Sequence, residues 1–258
     1  MCSFLFIKTF LFLITCCICF CRYKKVNTKK VDGLKKINSI DLNHYQRFSF
    51  GFDPGHAFDI ITKVLSSDKV PVFIYGSLIS INAAQLSLKH STIDQRKLMR
   101  AVGAKRLFNR DIASCTEAYF SVSKEEKAHP LRRASANLQL TGNLMDFANG
   151  AVYMMDRNEF MRVFNIEDGY GLIPILVSEW DSKCKNTGNF YLAYTFCAEE
   201  SIFLNKCILP RSSYYARCRQ GVESIDPKFY QEWLDTSYLS DGKTLIGDWD
   251  KEFTPDLS

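Results

Sequence analysis

Two short stretches carry residue types able to do chemistry. Tyr75-Gly76-Ser77-Leu78 ends an apolar run that begins at Val70. A Gly-Ser turn at the end of a strand presents consecutive backbone N–H groups, which grip a carboxylate or a carbonyl oxygen. It lacks the GxxxxGK of a phosphate loop and the GxSxG of a nucleophile elbow. The second stretch is Glu167-Asp168-Gly169-Tyr170, at the end of a segment with helical spacing. Acids there oppose the macrodipole, whose negative end favours Lys or Arg. A local rule broken at the end of an element marks a candidate functional group. A solvated acid before a glycine cap is the plainer alternative.

Several elements must position these stretches. Val70 to Tyr75 reads as a buried strand. Helical segments are expected over Ile81 to Leu88 and from Ser91 to about Val102. Strand-like pieces follow at Lys105–Asn109, Thr116–Val122, Ala134–Leu140 and Ala151–Met155. Asp156 with Glu159 three residues on has the spacing of a capping box. The helix it opens, Arg157 to about Ile166, places Phe160, Val163 and Phe164 on one face, and Gly169 closes it. Gly171–Glu179 and Phe190–Cys197 read as strands, Ser212–Gln220 and Pro227–Leu234 as helices. Short strands that do not alternate regularly with helices argue for an α+β domain, a closed or strongly curved sheet with helices added.

The 258 residues carry a formal net charge of +5, but the excess is local. Residues 1–47 hold nine Lys and Arg against two acids, leaving 24 bases and 26 acids in the other 211 residues. The basic character therefore belongs to a leader, and no aromatic interleaving makes it a nucleic-acid platform. From Thr9 to Cys21 runs an uncharged apolar stretch, bracketed by Lys8 and Arg22. Its length fits a signal-peptide h-region better than a full membrane span, and a signal anchor is the alternative. Either reading sends the chain into the secretory pathway, and the basic segment that follows reads as a linker or a plastid-type transit segment. The expected division is 1–21 leader, 22–66 linker and 67–258 folded domain.

Five cysteines lie in the leader and five in the body, at 115, 184, 197, 207 and 218, with no CxxC in the body. The four histidines are scattered, and none stands at ligand spacing from another. Neither a metal centre nor a redox motif is expected, so any chemistry is cofactor-independent.

Together these stretches resemble the gamma-glutamylcyclotransferase-like family. Tyr75-Gly76-Ser77-Leu78 is similar to its strand-to-turn motif, and Gly150-Ala151-Val152-Tyr153 to its later strand. Glu167 stands at the helix end, followed by Tyr170. Val102–Asn109, Ser135–Leu138 and Trp233–Thr244 resemble a bacterial and plastid-type branch with a C-terminal extension. The resemblance implies a small mixed β-barrel with flanking helices. It implies cyclisation of a γ-glutamyl group to 5-oxoproline with release of an amine, on a small-molecule γ-glutamyl peptide or amine. It makes Glu167 the general acid/base, with Tyr75, Gly76, Ser77, Leu78 and Tyr170 binding substrate and Phe164, Ile166 and Tyr170 lining an apolar pocket around Glu167. Where the family has Leu-Asp this chain has Val163-Phe164, and Asp168 is the base if the register moves by one. Two other readings stay open: a non-catalytic small-molecule binding module on the same fold, and a protein tethered to a membrane through its leader.

Overall fold

The computed structural model describes residues 30–31, 34–37, 53–114, 129–167, 169–182, 189–198 and 203–253. The apolar leader, the strand expected at Thr116–Val122, Asp168, Cys115 and Cys184 lie outside them. In chain order the strands are β1 (Lys30–Val31), β2 (Leu34–Ile37), β3 (Val70–Ile74), β4 (Lys97–Val102), β5 (Ala104–Asp111), β6 (Arg132–Leu140), β7 (Phe147–Met155), β8 (Gly171–Glu179), β9 (Phe190–Cys197), β10 (Leu209–Pro210) and β11 (Ser237–Leu239). The helices are α1 (Pro54–Leu65), α2 (Ile81–Ala84), α3 (His90–Asp94), α4 (Arg157–Ile166), α5 (Ser212–Glu223), α6 (Pro227–Asp235) and α7 (Ile246–Phe253).

The larger sheet runs β1-β2-β9-β3-β7-β4-β8, and β8 also pairs with β9. That last pairing closes β3, β7, β4, β8 and β9 into a ring, so the expected mixed barrel is present. All pairings in the ring are antiparallel except β3 with β9. Closure explains why β3 is buried at all five positions. A strand with neighbours on both edges and covered faces reads as a continuous apolar run. A second sheet, ordered β10-β6-β5-β11, packs beside the ring.

Helix α4 forms as its sequence dictates. The Asp156 side chain accepts from the Glu159 N–H at 3.0 Å, and the Glu159 carboxylate accepts from the Asp156 N–H at 3.0 Å. Phe160 and Val163 are buried, and Phe164 packs its ring at a tilt against Phe160 and edge-to-face against Phe196. Gly169 adopts φ +73° just past the helix, a conformation that costs glycine little.

Two expectations are corrected. The helix expected from Ser91 to Val102 stops at Asp94, and Lys97–Val102 is a ring strand. Lys, Leu, Met, Arg and Ala favour helix, but β4 gains ladder partners on both edges, β7 and β8, and tertiary pairing overrides that preference. The stretch 22–66 is not linker throughout. Asp53 caps α1 through the Gly55 and His56 N–H groups, and α1 buries Ala57, Phe58, Ile61 and Leu65. The rings of Phe58 and Phe160 lie 5.6 Å apart, tying α1 to α4. Strand β2 pairs with β9, and Leu34 is buried in the core. The folded body therefore reaches well before residue 67.

Candidate active site

Strand pairing decides which residues meet. Val72 of β3 stands beside Tyr194 of β9 in a parallel pair, so Ile74 runs level with Phe196 and Tyr75 emerges alongside Cys197. Antiparallel β8 begins at the same level, with Gly171 opposite Cys197 and Leu172 opposite Phe196. The turn after β3 and the Glu167–Tyr170 stretch before β8 therefore flank one end of β9. Asn137 of β6 clamps that end, donating to the Ala198 carbonyl at 3.0 Å and accepting from the Ala198 N–H at 2.9 Å. Between these pieces lies a cavity of about 520 Å³, a size ordinary for small-molecule sites.

All the residues picked from sequence, Tyr75, Gly76, Ser77, Leu78, Glu167 and Tyr170, line this one cavity. Ile166 lines it too, as expected, but Phe164 does not, because its ring is engaged with Phe160 and Phe196. Phe196 and Ile112 supply apolar wall in its place.

The turn keeps its carbonyls occupied and its N–H groups open. Arg106 Nε donates to the Tyr75 carbonyl at 3.1 Å, and the Tyr153 hydroxyl to the Leu78 carbonyl at 3.2 Å. The Gly76 and Ser77 carbonyls accept from Ile79 and Ser80 as a single 3-10 turn forms. Among the described residues nothing accepts from the backbone N–H of Gly76, Ser77 or Leu78. These are the orphan donors of a helix start, ready for an anionic or carbonyl oxygen.

The tyrosines brace the site through their hydroxyl protons. Tyr75 donates to the Phe196 carbonyl at 2.6 Å and Tyr170 to the Ala136 carbonyl at 2.6 Å, with Ser135 Oγ 3.1 Å from the Tyr170 oxygen. Burial raises the pKa of both phenols, which stay neutral at any ordinary pH. Glu167 is different. Burial pushes its carboxyl up to about 7, against the pull of the Arg110 guanidinium. Desolvation of the charged form outweighs one cation, leaving a carboxyl poised to gain or lose a proton near neutrality.

Sequence reading missed the groups around it. Arg110 is buried and lies 4.2 Å over the Tyr170 ring. A β-bulge puts it there: Phe108 faces Ala136, yet Arg110 rather than Asn109 stands opposite Ser135. A second wall comes from α5 and the residue that precedes it, with Arg211, Tyr214 and Arg217 all lining the cavity. Their spacing of three residues is a helix-face signal, visible in the sequence once the helix is granted. Helix α5 lies close against the turn. A Cβ at Gly76 would sit 2.5 Å from the Tyr214 hydroxyl, and one at Gly221 would sit 2.8 Å from the Ser80 backbone.

Arg106 holds the turn from behind. It is fully buried and donates to the Tyr75 carbonyl, to the Asn149 carbonyl and to Ser237 Oγ at 2.8 Å, with its guanidinium 5.6 Å over the Trp233 ring. Burial lowers its pKa only to about 10, so the cation persists. Among the described residues no group of three or more His, Cys, Asp or Glu side chains is placed to hold a metal ion. Of the described cysteines, Cys197 and Cys218 are buried, with the Cys197 thiol donating to the Leu138 carbonyl, and Cys207 is exposed.

No family model matches the sequence, and no curated protein matches it. Solved structures do. The chain is similar to YkqA from Bacillus subtilis at 15% identity and a TM-score of 0.46, over 67% of this chain and 55% of that one. It thus spans about half the length of that protein. It is similar to an uncharacterised protein from Homo sapiens at 13% identity and a TM-score of 0.45, over 65% of this chain and 87% of that one. A gamma-glutamyl cyclotransferase specific to glutathione from yeast matches at 14% identity and a TM-score of 0.43, over 66% of this chain and 96% of that one. The chain is similar in structure to gamma-glutamyl cyclotransferases, at low identity.

Proposed function

We propose that this chain is a γ-glutamyl cyclotransferase, with Glu167 as general acid/base and the Tyr75–Leu78 turn holding the glutamyl group. One observation carries the reading: a carboxyl titrating near 7 and three open backbone N–H groups line the same cavity. Cyclisation needs little else. The substrate's neutral α-amine attacks its own γ-carbonyl carbon, forming the ring C–N bond of 5-oxoproline. The C–N bond to the leaving amine then breaks. Glu167 takes the proton that the attacking nitrogen sheds and returns it to the leaving nitrogen, so no proton is gained or lost overall. The attack is intramolecular, so the protein's work is to hold the folded-back conformer and to stabilise the developing oxyanion. A carboxyl near 7 suits both halves of that transfer, being about half ionised at neutral pH.

The test is release of 5-oxoproline from γ-glutamyl-alanine, γ-glutamyl-lysine and glutathione by the full-length chain. Turnover of at least one substrate is expected. Binding across the panel without release would make this a non-catalytic binding module on the same fold.

A further inference from the structure

Helix α5 has two duties. Tyr214 lines the cavity, and Gly221, two turns further on, abuts the Ser80 backbone. Tyr215 and Arg219 reach α7 instead. The Tyr215 hydroxyl donates to Asp250 Oδ1 at 2.6 Å, and Arg219 Nη1 donates to the same oxygen at 3.3 Å. The two donors are four residues apart, so they share one face of α5 and meet at one carboxylate. Asp250 is only 7% exposed, and Tyr215 is fully buried. The Trp249 ring stands edge-on to Tyr215 with centroids 5.0 Å apart. A Cβ at Gly247 would lie 3.2 Å from the Leu234 Cβ, so α7 packs closely on α6 as well.

A helix that served only to cover α5 would do better with an apolar residue at position 250. Ile246 is fully buried one turn earlier, on the same face of α7. Burying a carboxylate costs more than burying a leucine, and its hydrogen bonds offset that cost only in good geometry. What the carboxylate adds is direction. Hydrogen bonds weaken steeply when misaligned, so two of them into one oxygen set the rotation of α5 about its own axis. The turn after β3 is sensitive to that rotation. A Cβ at Gly76 would sit 2.5 Å from the Tyr214 hydroxyl, and one at Gly221 would sit 2.8 Å from Ser80.

We infer that Asp250 is a positioning residue for the Tyr75–Leu78 turn. Acting through Tyr215 and Arg219, it holds α5 at the angle where Tyr214 and Gly221 brace the turn and keep its three open N–H groups in place. The effect on turnover rests on the cyclotransferase reading above, whereas the positioning itself does not.

The test compares the full-length protein with Asp250→Leu, Asp250→Asn and Glu232→Gln. Asn keeps an acceptor for the Tyr215 hydroxyl, and Glu232→Gln weakens α6 without touching Asp250. With γ-glutamyl-alanine as substrate, Asp250→Leu should lower kcat by about tenfold or more, the scale of a small misplacement transmitted from a distance. Its KM should change no more than a few-fold. Asp250→Asn should recover most of the lost kcat, and Glu232→Gln should leave kcat unchanged. A second readout needs no turnover: the amide NMR signals of Gly76, Ser77 and Leu78 should move in Asp250→Leu and stay in place in Glu232→Gln. Unchanged kcat and unmoved amides in Asp250→Leu would overturn the inference, and so would equal effects in Glu232→Gln. If Asp250→Leu fails to fold, Tyr215→Phe removes the shorter of the two bonds while keeping the ring, and the same readouts decide. If the unaltered protein turns over nothing, the cyclotransferase reading fails by itself, and the amide signals alone settle the role of Asp250.

Discussion

The Tyr75 hydroxyl donates to the Phe196 carbonyl at 2.6 Å, fastening the end of β3 to the end of β9. Leu172 pairs with Phe196 from the other side, so the same residue fixes the start of β8 just past Glu167 and Tyr170. The acid and the turn are 92 positions apart in the chain. They meet because β9 runs parallel to one of their strands and antiparallel to the other.

Under the proposed mechanism, Glu167 sets the pH dependence of turnover. The base form is needed to take the proton from the attacking amine, and burial holds the carboxyl near 7. The kcat/KM profile is expected to rise with pH and level off above about 7. An acid limb near the ordinary Glu value, about 4.3, would mean that another group is the base.

The same carboxyl costs stability at high pH. Its folded pKa stands above its unfolded value of 4.5, so it binds its proton more tightly in the fold. That advantage is fully present below pH 4.5 and lost as pH rises through about 7. Glu167→Gln removes the charging penalty. Its stability relative to the unaltered protein should therefore increase between pH 4 and pH 8, by on the order of 3 kcal/mol. Urea unfolding at the two pH values checks this, and a difference that does not vary with pH would contradict it.

Gly76 is required because of Tyr214. A Cβ there would approach the Tyr214 hydroxyl to 2.5 Å, while the ring carbon behind it is 3.7 Å away. Gly76→Ala is expected to destabilise by about 1–3 kcal/mol, the cost of overpacking. Adding Tyr214→Phe should recover most of that loss, because the clashing atom is gone. Two losses that simply add would show that the hydroxyl is not the obstacle.

Much of this was legible in the sequence, and the reasons differ by residue. Asp156 and Glu159 announce α4 because a capping box is a local device, complete within four residues. Tyr75–Leu78 and Glu167–Tyr170 stand out for the same reason. Lys97–Val102 was misread because its strand character comes from β7 and β8, which local propensity does not report. Arg110 was invisible because its aim depends on a bulge at Asn109, a matter of register between strands. Arg106 was noticed only as part of a family-like segment. Nothing in its neighbours reveals that it is buried against Tyr75, Asn149 and Ser237. The α1 helix, with one Lys and one Asp, follows directly on a basic stretch whose composition resembles a linker, and that neighbour hides it.

Arg106 positions the turn, so its replacement should affect more than stability. Arg106→Met frees the Tyr75 carbonyl and leaves the Asn149 carbonyl without its donor, at a cost of about 3 kcal/mol in unfolding experiments. In the protein that remains folded, kcat is expected to fall more than KM rises, because misplaced amides lose most at the developing oxyanion. A variant with lower stability and unchanged kcat would reduce Arg106 to a packing residue.

The pair Arg100–Glu232 secures α6 to the ring. Arg100 donates from Nε to one Glu232 oxygen at 2.8 Å and from Nη2 to the other at 2.5 Å, and Trp180 adds a hydrogen bond at 3.3 Å. Both side chains are about nine-tenths covered. Glu232→Gln should therefore destabilise by roughly 3 kcal/mol, since it removes the carboxylate charge that faces a mostly buried cation. Chemical denaturation measures this, and a change within 0.5 kcal/mol, as for an exposed pair, would contradict it.

The most direct measurement is turnover and binding of γ-glutamyl-alanine by the full-length protein and by Glu167→Gln. Gln keeps the shape and loses the ability to carry a proton. Turnover by the variant should fall at least ~100-fold, the scale of a lost general acid/base, with affinity changed no more than a few-fold. A Glu167→Gln protein that still releases 5-oxoproline at the unaltered rate would contradict the assignment of Glu167 as the catalytic group.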